Sequence, residues 1–136
     1  MSARGKARKR ALDVLYEADI RGTSPADVLS TTIATIAVPL NPYTFELVDG
    51  VLLHQQQIDE LLSEYSFGWT LERMPAIDRN VLRLGAWELI WGDVPPAVAI
   101  SEAVNLVKAL STEESAGFVN GLLARLLEIR PGLQVD

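Results

Sequence analysis

The side chains able to do chemistry in this chain are few, and they gather in two short stretches. Arg4, Lys6, Arg8, Lys9 and Arg10 put five cations into the first ten residues, with no acid among them. Further on, Ser115-Ala116-Gly117-Phe118-Val119-Asn120-Gly121 sets an aromatic ring between a hydroxyl and a carboxamide. Guanidinium and ammonium groups hold phosphate, and a guanidinium or a ring also stacks on an unpaired base. The groups of a catalyst are missing. His54 is the one histidine, expected as an ordinary surface residue in the polar run His54-Gln55-Gln56-Gln57. Cysteine is absent, which excludes disulfide frameworks and thiolate metal sites. No phosphate-binding glycine loop, dinucleotide fingerprint, zinc-protease helix or acidic calcium loop occurs. Asp59-Glu60 and Glu113-Glu114 read as a solvated helix face and a helix start. The expectation is a protein that is not an enzyme and that takes no cofactor and no metal.

The net charge of −6 conceals an asymmetry, because 7 basic and 18 acidic side chains follow the five leading cations. A basic arm on an acidic body suggests local capture of a polyanion, single-stranded RNA above all, with repulsion elsewhere. The alternative is a frayed terminus that aids solubility. Arg4 and Arg8 prolong the helical line of Leu12 and Leu15, so an early helix would hang them beside the buried stripe. Five phosphate contacts on a single strand would give a log–log salt slope no steeper than about −3.5.

Phe118 is open to two readings, a core aromatic or a stacking platform with Ser115 and Asn120 within hydrogen-bonding reach. Gly117 and Gly121 each cost a helix about 1 kcal/mol, sensible where another backbone or a ligand approaches closely. Trp69, Trp87 and Trp91 read as packing. Tyr16, beside the buried Leu15, can reach the bundle edge.

These residues need helices to hold them, and helical spacing with caps between recurs throughout. Ala11, Leu12, Leu15, Ala18 and Ile20 share one side of a first helix that Gly22 stops. Ser24-Pro25 and Asn41-Pro42 each set a capping side chain before a proline at the first helical position. Val28, Leu29, Ile33 and Ile36 follow the first signal. Leu47, Val48, Val51, Leu52, Ile58, Leu61, Leu62 and Tyr65 follow the second. Ser66-Phe67-Gly68-Trp69 reads as a join, and Thr70 can cap a short turn through Met74.

Ile77, Val81, Leu82, Leu84 and Leu89 mark the next helix, opened by Asp78-Arg79 and ending near Gly92-Asp93. Ile100, Ala103, Val104 and Val107 mark another. Ser111 with Glu114 fits a capping box before Val119, Leu122, Leu123, Leu126 and Leu127. The expectation is an all-α protein of six to seven helices packed as two three-helix bundles, residues 11–66 and 67–136, with 1–10 as the arm. Val28 to Phe45 is the longest stretch without Asp, Glu, Lys, Arg or His, but Pro39, Asn41 and Pro42 make it helix, loop, helix rather than a membrane span. No apolar signal-peptide core follows the basic start. A soluble, cytoplasmic protein is expected.

Three segments together resemble the NusB family of transcription antitermination factors: RGKARKRALDVLYEAD (residues 4–19), AIDRNVLRLGAWEL (76–89) and AVAISEAVNLVKALSTEESAGFVNGLL (97–123). The resemblance implies a NusB-like fold that binds the boxA element of nascent ribosomal RNA. It implies NusE, a ribosomal small-subunit protein, as partner, and the RNA polymerase antitermination complex as the setting. By position it assigns RNA contacts to Arg4, Lys6, Arg8, Arg10, Ser115 and Phe118, with Glu114 lining the same surface. Lys9, where an acid is common in the family, and Asn120, within reach of Phe118, are expected to join them. NusE would lie along Tyr16, Glu72 and Asp78, and a homodimer is a further possibility. Ala116-Gly117 stands where many members carry a basic residue. The same helical domain also fronts RNA cytosine methyltransferases, but these 136 residues hold no cofactor-binding segment.

Overall fold

The computed structural model describes residues 2–135. Helix α1 spans Ala3–Arg21, α2 Pro25–Thr35, α3 Pro42–Tyr65, α4 Ala76–Ile90, α5 Pro96–Leu110 and α6 Glu113–Ile129. Short 3-10 turns at Leu71–Arg73 and Arg130–Gly132 complete the set, and no strand occurs among the described residues.

The capping chemistry explains most boundaries. Ser24 Oγ accepts from the Ala26 amide and Asn41 Oδ1 from the Tyr43 amide, with Pro25 and Pro42 opening their helices. Gly22 closes α1 in the left-handed region at φ 67°, where its N–H reaches the carbonyls of Ala18 and Asp19. Two boundaries differ from expectation. Ser2 caps α1 by accepting from the Gly5 amide at 3.0 Å, so the basic cluster is the first two turns of a helix rather than an arm. Thr112, not Ser111, caps α6, accepting from the Ser115 amide at 3.0 Å.

Helices α1–α3 pack together, as do α4–α6, and α4 lies against α1, α3, α5 and α6. One apolar core runs through both groups, with Leu12, Leu47, Leu62, Leu82, Leu122 and Leu126 fully buried. The stripes erred at their margins, since Ile20, Ile33 and Leu52 are exposed. His54 is half-buried and stacks on Trp91, with centroids 4.1 Å apart.

Glycine decides two local packings in opposite directions. A Cβ at Gly50 would collide with the indole of buried Trp87, which has no free end to swing aside. A Cβ at Gly117 would meet nothing within 4 Å, so neither a backbone nor a side chain explains that glycine. Gly50→Ala is therefore expected to destabilise the fold by about 1–3 kcal/mol. Gly117→Ala is expected to stabilise it by up to about 1 kcal/mol. Thermal denaturation reads both, and equal shifts of one sign would contradict the packing described.

Candidate nucleic-acid interface

The first two turns of α1 sort their cations by depth. Arg4 keeps half its side chain exposed, with its guanidinium 4.3 Å from the centroid of the Tyr43 ring and 3.8 Å from Asp93. Lys6 and Arg10 are exposed. Lys9 is partly exposed and reaches Asp13 one turn on at 2.6 Å, a surface pair that contributes little. Arg8 is buried, at 3% exposure.

Arg8 is turned inward by an acid that the opposite bundle buries for it. Its Nε donates to both Glu88 carboxylate oxygens at 2.9 and 3.1 Å, and its Nη2 donates at 3.0 Å. Nη1 lies 3.4 Å from Glu102 of α5, and the Tyr43 hydroxyl donates to Glu88 from α3. Burial alone would lower the Arg8 pKa, but the hydrogen bonds and charge of Glu88 outweigh it and raise the pKa. Burial and then Glu88 push the Tyr43 phenol well above its ordinary range, so it stays a donor. The side chains of α1, α3, α4 and α5 thus meet at one buried polar cluster. Arg8 is corrected from a phosphate contact to the anchor that fixes α1, leaving Arg4, Lys6, Lys9 and Arg10 to face solvent.

At the start of α6, Ser115 is 1% exposed, and its hydroxyl accepts from Thr112 at 2.9 Å and from Ser111 at 3.2 Å. That hydroxyl belongs to the cap, which corrects its expected role towards RNA. Phe118 is half-buried and meets Trp69 edge to face, with centroids 5.1 Å apart at 78°. Trp69 therefore touches the candidate platform rather than only the core. Glu114 is exposed and lines the same cleft as Phe118. Asn120 is exposed but lines a different depression, with Pro96, Ile100 and Lys108 of α5.

The two basic and aromatic stretches are not brought into contact. Arg8 and Arg4 are tied to Glu88 and Asp93 at the C-terminal end of α4, whereas Phe118 packs on the segment leading to its N-terminal end. The 15 residues of α4 span about 22 Å, so one strand touching both must cross several nucleotides.

The expected partner face is divided in the same way. Tyr16 and Glu72 are exposed. Asp78 is 0% exposed with no hydrogen-bond partner on either carboxylate oxygen, which corrects it from a surface contact to a buried group. Arg79 beside it ties α4 to Asp19 of α1 at 2.8 Å and to the carbonyls of Leu71 and Met74. Asn80 also donates to Asp19, and Arg83 grips Asp59 with two hydrogen bonds. Burial would raise the Asp19 pKa, but Arg79 and Asn80 overcome it and hold the carboxyl below its ordinary 3.8.

Of the residues that organise the site, Glu88 and Tyr43 were missed. Glu88 had a visible signal, one acid inside the apolar run Leu84 to Trp91. Among the described residues no group of three or more His, Cys, Asp or Glu side chains gathers to hold a metal. No described helix is long and apolar enough to cross a membrane.

A model of the NusB family matches residues 5–128. A transcription antitermination protein NusB from Arthrobacter sp. (strain FB24) is 58% identical over 134 residues, covering 98% of both chains. The protein of that name from Saccharopolyspora erythraea is 60% identical over 132 residues, covering 95% of this chain and 89% of its own. Among solved structures, antitermination factors NusB and NusE in complex with dsRNA match at TM-score 0.83 and 30% identity, covering 94% of this chain and 98% of that one. The solution structure of NusB from Aquifex aeolicus matches at TM-score 0.81 and 30% identity, covering 100% of this chain and 95% of that one.

Arg8→Ala should cost about 3–5 kcal/mol, because it strands Glu88 in the core. Combining Arg8→Met, Tyr43→Phe and Glu88→Leu should recover most of that loss in chemical denaturation. A triple variant as weak as the single one would contradict the stranded-charge account. For Asp19, a lowered folded pKa means stability present above pH 3.8 and lost as pH falls through the folded value. Asp19→Asn should therefore lower stability at neutral pH and flatten the acid limb below about pH 4. An unchanged limb would remove Asp19 from the linkage.

Proposed function

The chain belongs to the NusB family, and we propose that it works as a non-catalytic antitermination factor that binds the boxA element of nascent ribosomal RNA together with NusE. The observation that carries the RNA reading is the cluster of exposed cations on the first turns of α1. Arg4, Lys6 and Arg10 stand exposed on a helix whose inward arginine is locked, in a chain that is otherwise strongly acidic. A polyanion finds one attractive surface there and repulsion over much of the rest. The solved relative that holds both NusE and RNA supports the same pairing.

RNA would run from the α1 face towards Phe118, whose half-buried ring offers a base a stacking surface. NusE, a basic ribosomal protein, would meet Tyr16 and Glu72. The assembled pair would then join RNA polymerase in the cytoplasm and promote read-through. Self-pairing is a secondary proposal. The exposed Ile33 and Val38 rim an apolar depression with Pro39 and Phe45, and light scattering with and without RNA reads whether two copies meet.

Anisotropy titrations of boxA RNA, a scrambled single strand and a duplex, each with and without NusE, test the main proposal. BoxA RNA is expected to bind more tightly than the scrambled strand, and more tightly again with NusE present. The four solvent-facing cations of α1, instead of five, contribute at most about −2.8 to the log–log salt slope. Replacing Arg4, Lys6 and Arg10 by Ala should weaken binding and flatten the slope by up to about 2. Equal affinity for the first two strands would overturn the sequence preference, and an unmoved slope would take α1 out of the site.

A further inference from the structure

Phe67 stands 68% exposed in the join between α3 and α4, although the apolar core lies close by. Its ring is not idle. The Arg125 guanidinium of α6 sits 4.7 Å from the ring centroid. Arg125 is itself held, since its Nε donates to the Tyr65 carbonyl at the end of α3 at 3.0 Å. A cation is thus fixed over an exposed ring by groups that have no need of the ring.

Beside this pair opens a cleft of about 210 Å³, lined by Phe67, Gly68, Trp69, Glu114 and Phe118. Gly68 makes the turn between the two aromatic residues at φ +88°, a conformation that side-chain-bearing residues rarely adopt. Trp69 meets Phe118 edge on and occupies one flank. Glu114 on the rim repels phosphate, so a strand crossing here must present a base rather than its backbone. Aromatic faces with a guanidinium alongside suit the π-face of an unpaired base, whatever its identity.

We infer that Phe67 and Arg125 form, with Trp69 and Phe118, a second base-stacking position in which one unpaired RNA base enters the cleft between the Phe67 and Phe118 rings. The inference rests on the reading that the chain binds RNA, and it extends the site from one aromatic ring to a two-sided slot. Arg125 contributes a phosphate contact to the neighbouring nucleotide.

Single-stranded boxA RNA, titrated against the whole chain by anisotropy over a range of salt concentrations, separates the two. Phe67→Ala should weaken binding roughly 5- to 100-fold with an unchanged salt slope, because stacking releases no counterions. Phe67→Trp keeps a ring and should restore binding. Arg125→Gln should weaken binding and flatten the slope by about 0.7. With 2-aminopurine placed at successive positions of the RNA, one position should be quenched by the native chain and released by Phe67→Ala. A Phe67→Ala chain that binds within about twofold of native, with the same quenching pattern, overturns the inference alone. Failure of the native chain to bind any of the strands overturns both the inference and the reading beneath it.

Discussion

The ion pair between Arg8 and Glu88 is the constraint on which the rest of this structure depends. Removing either partner leaves the other charge buried and unpaired, at a cost of about 3–5 kcal/mol, so each half depends on the other. Together, with Tyr43 donating to the same carboxylate, they hold the first turns of α1 against α3, α4 and α5. The consequence is geometric. A helix whose second turn is anchored cannot rotate, so Arg4 on the side of Arg8, and Lys6 and Arg10 on the opposite side, each keep a fixed bearing. A terminal stretch that would fray alone becomes a preorganised cationic face, and preorganisation reduces the ordering cost of binding.

The remainder of the architecture repeats this logic at the other end of α4. Arg79, Asn80 and Arg83 reach from α4 to Asp19 and Asp59, so polar ties secure α1 and α3 there as well. α4 is the strut common to both bundles and to both ends of the candidate RNA surface. Its length keeps the cationic face and the aromatic cleft apart, which suits a strand that is gripped by phosphate at one end and stacked at the other. Neither end reads base identity by itself, since phosphate contacts carry none and stacking accepts any base.

Much of this was legible in the chain, and the failures share a cause. Ser24-Pro25, Asn41-Pro42 and Gly22 are local signals, and local chemistry placed those boundaries. Helical periodicity identified the core except at stripe margins such as Ile33 and Leu52, where exposure depends on which neighbour is present. The cations were found as a cluster, but charge alone does not tell a solvated arginine from a paired one. Arg8 needed Glu88, 80 residues away, to show its role. Asp78 and Ser115 misled in the same way, because each looks like a surface group in sequence and both are buried in the fold. Phe67 went unused because a lone aromatic in a join carries no periodic signal. Its meaning lies in Arg125, 58 residues on in sequence but adjacent in space.

The most direct test of a preorganised RNA face is a nuclear magnetic resonance titration of the isotope-labelled chain with boxA RNA. Before RNA is added, residues 3–10 should already show helical carbon shifts and slowed amide exchange. On titration, amide shifts should move together at Arg4, Lys6, Arg10, Phe67 and Phe118, with the helical carbon shifts unchanged. Random-coil shifts for residues 3–10 in the free chain, or perturbations confined to other surfaces, would contradict the account.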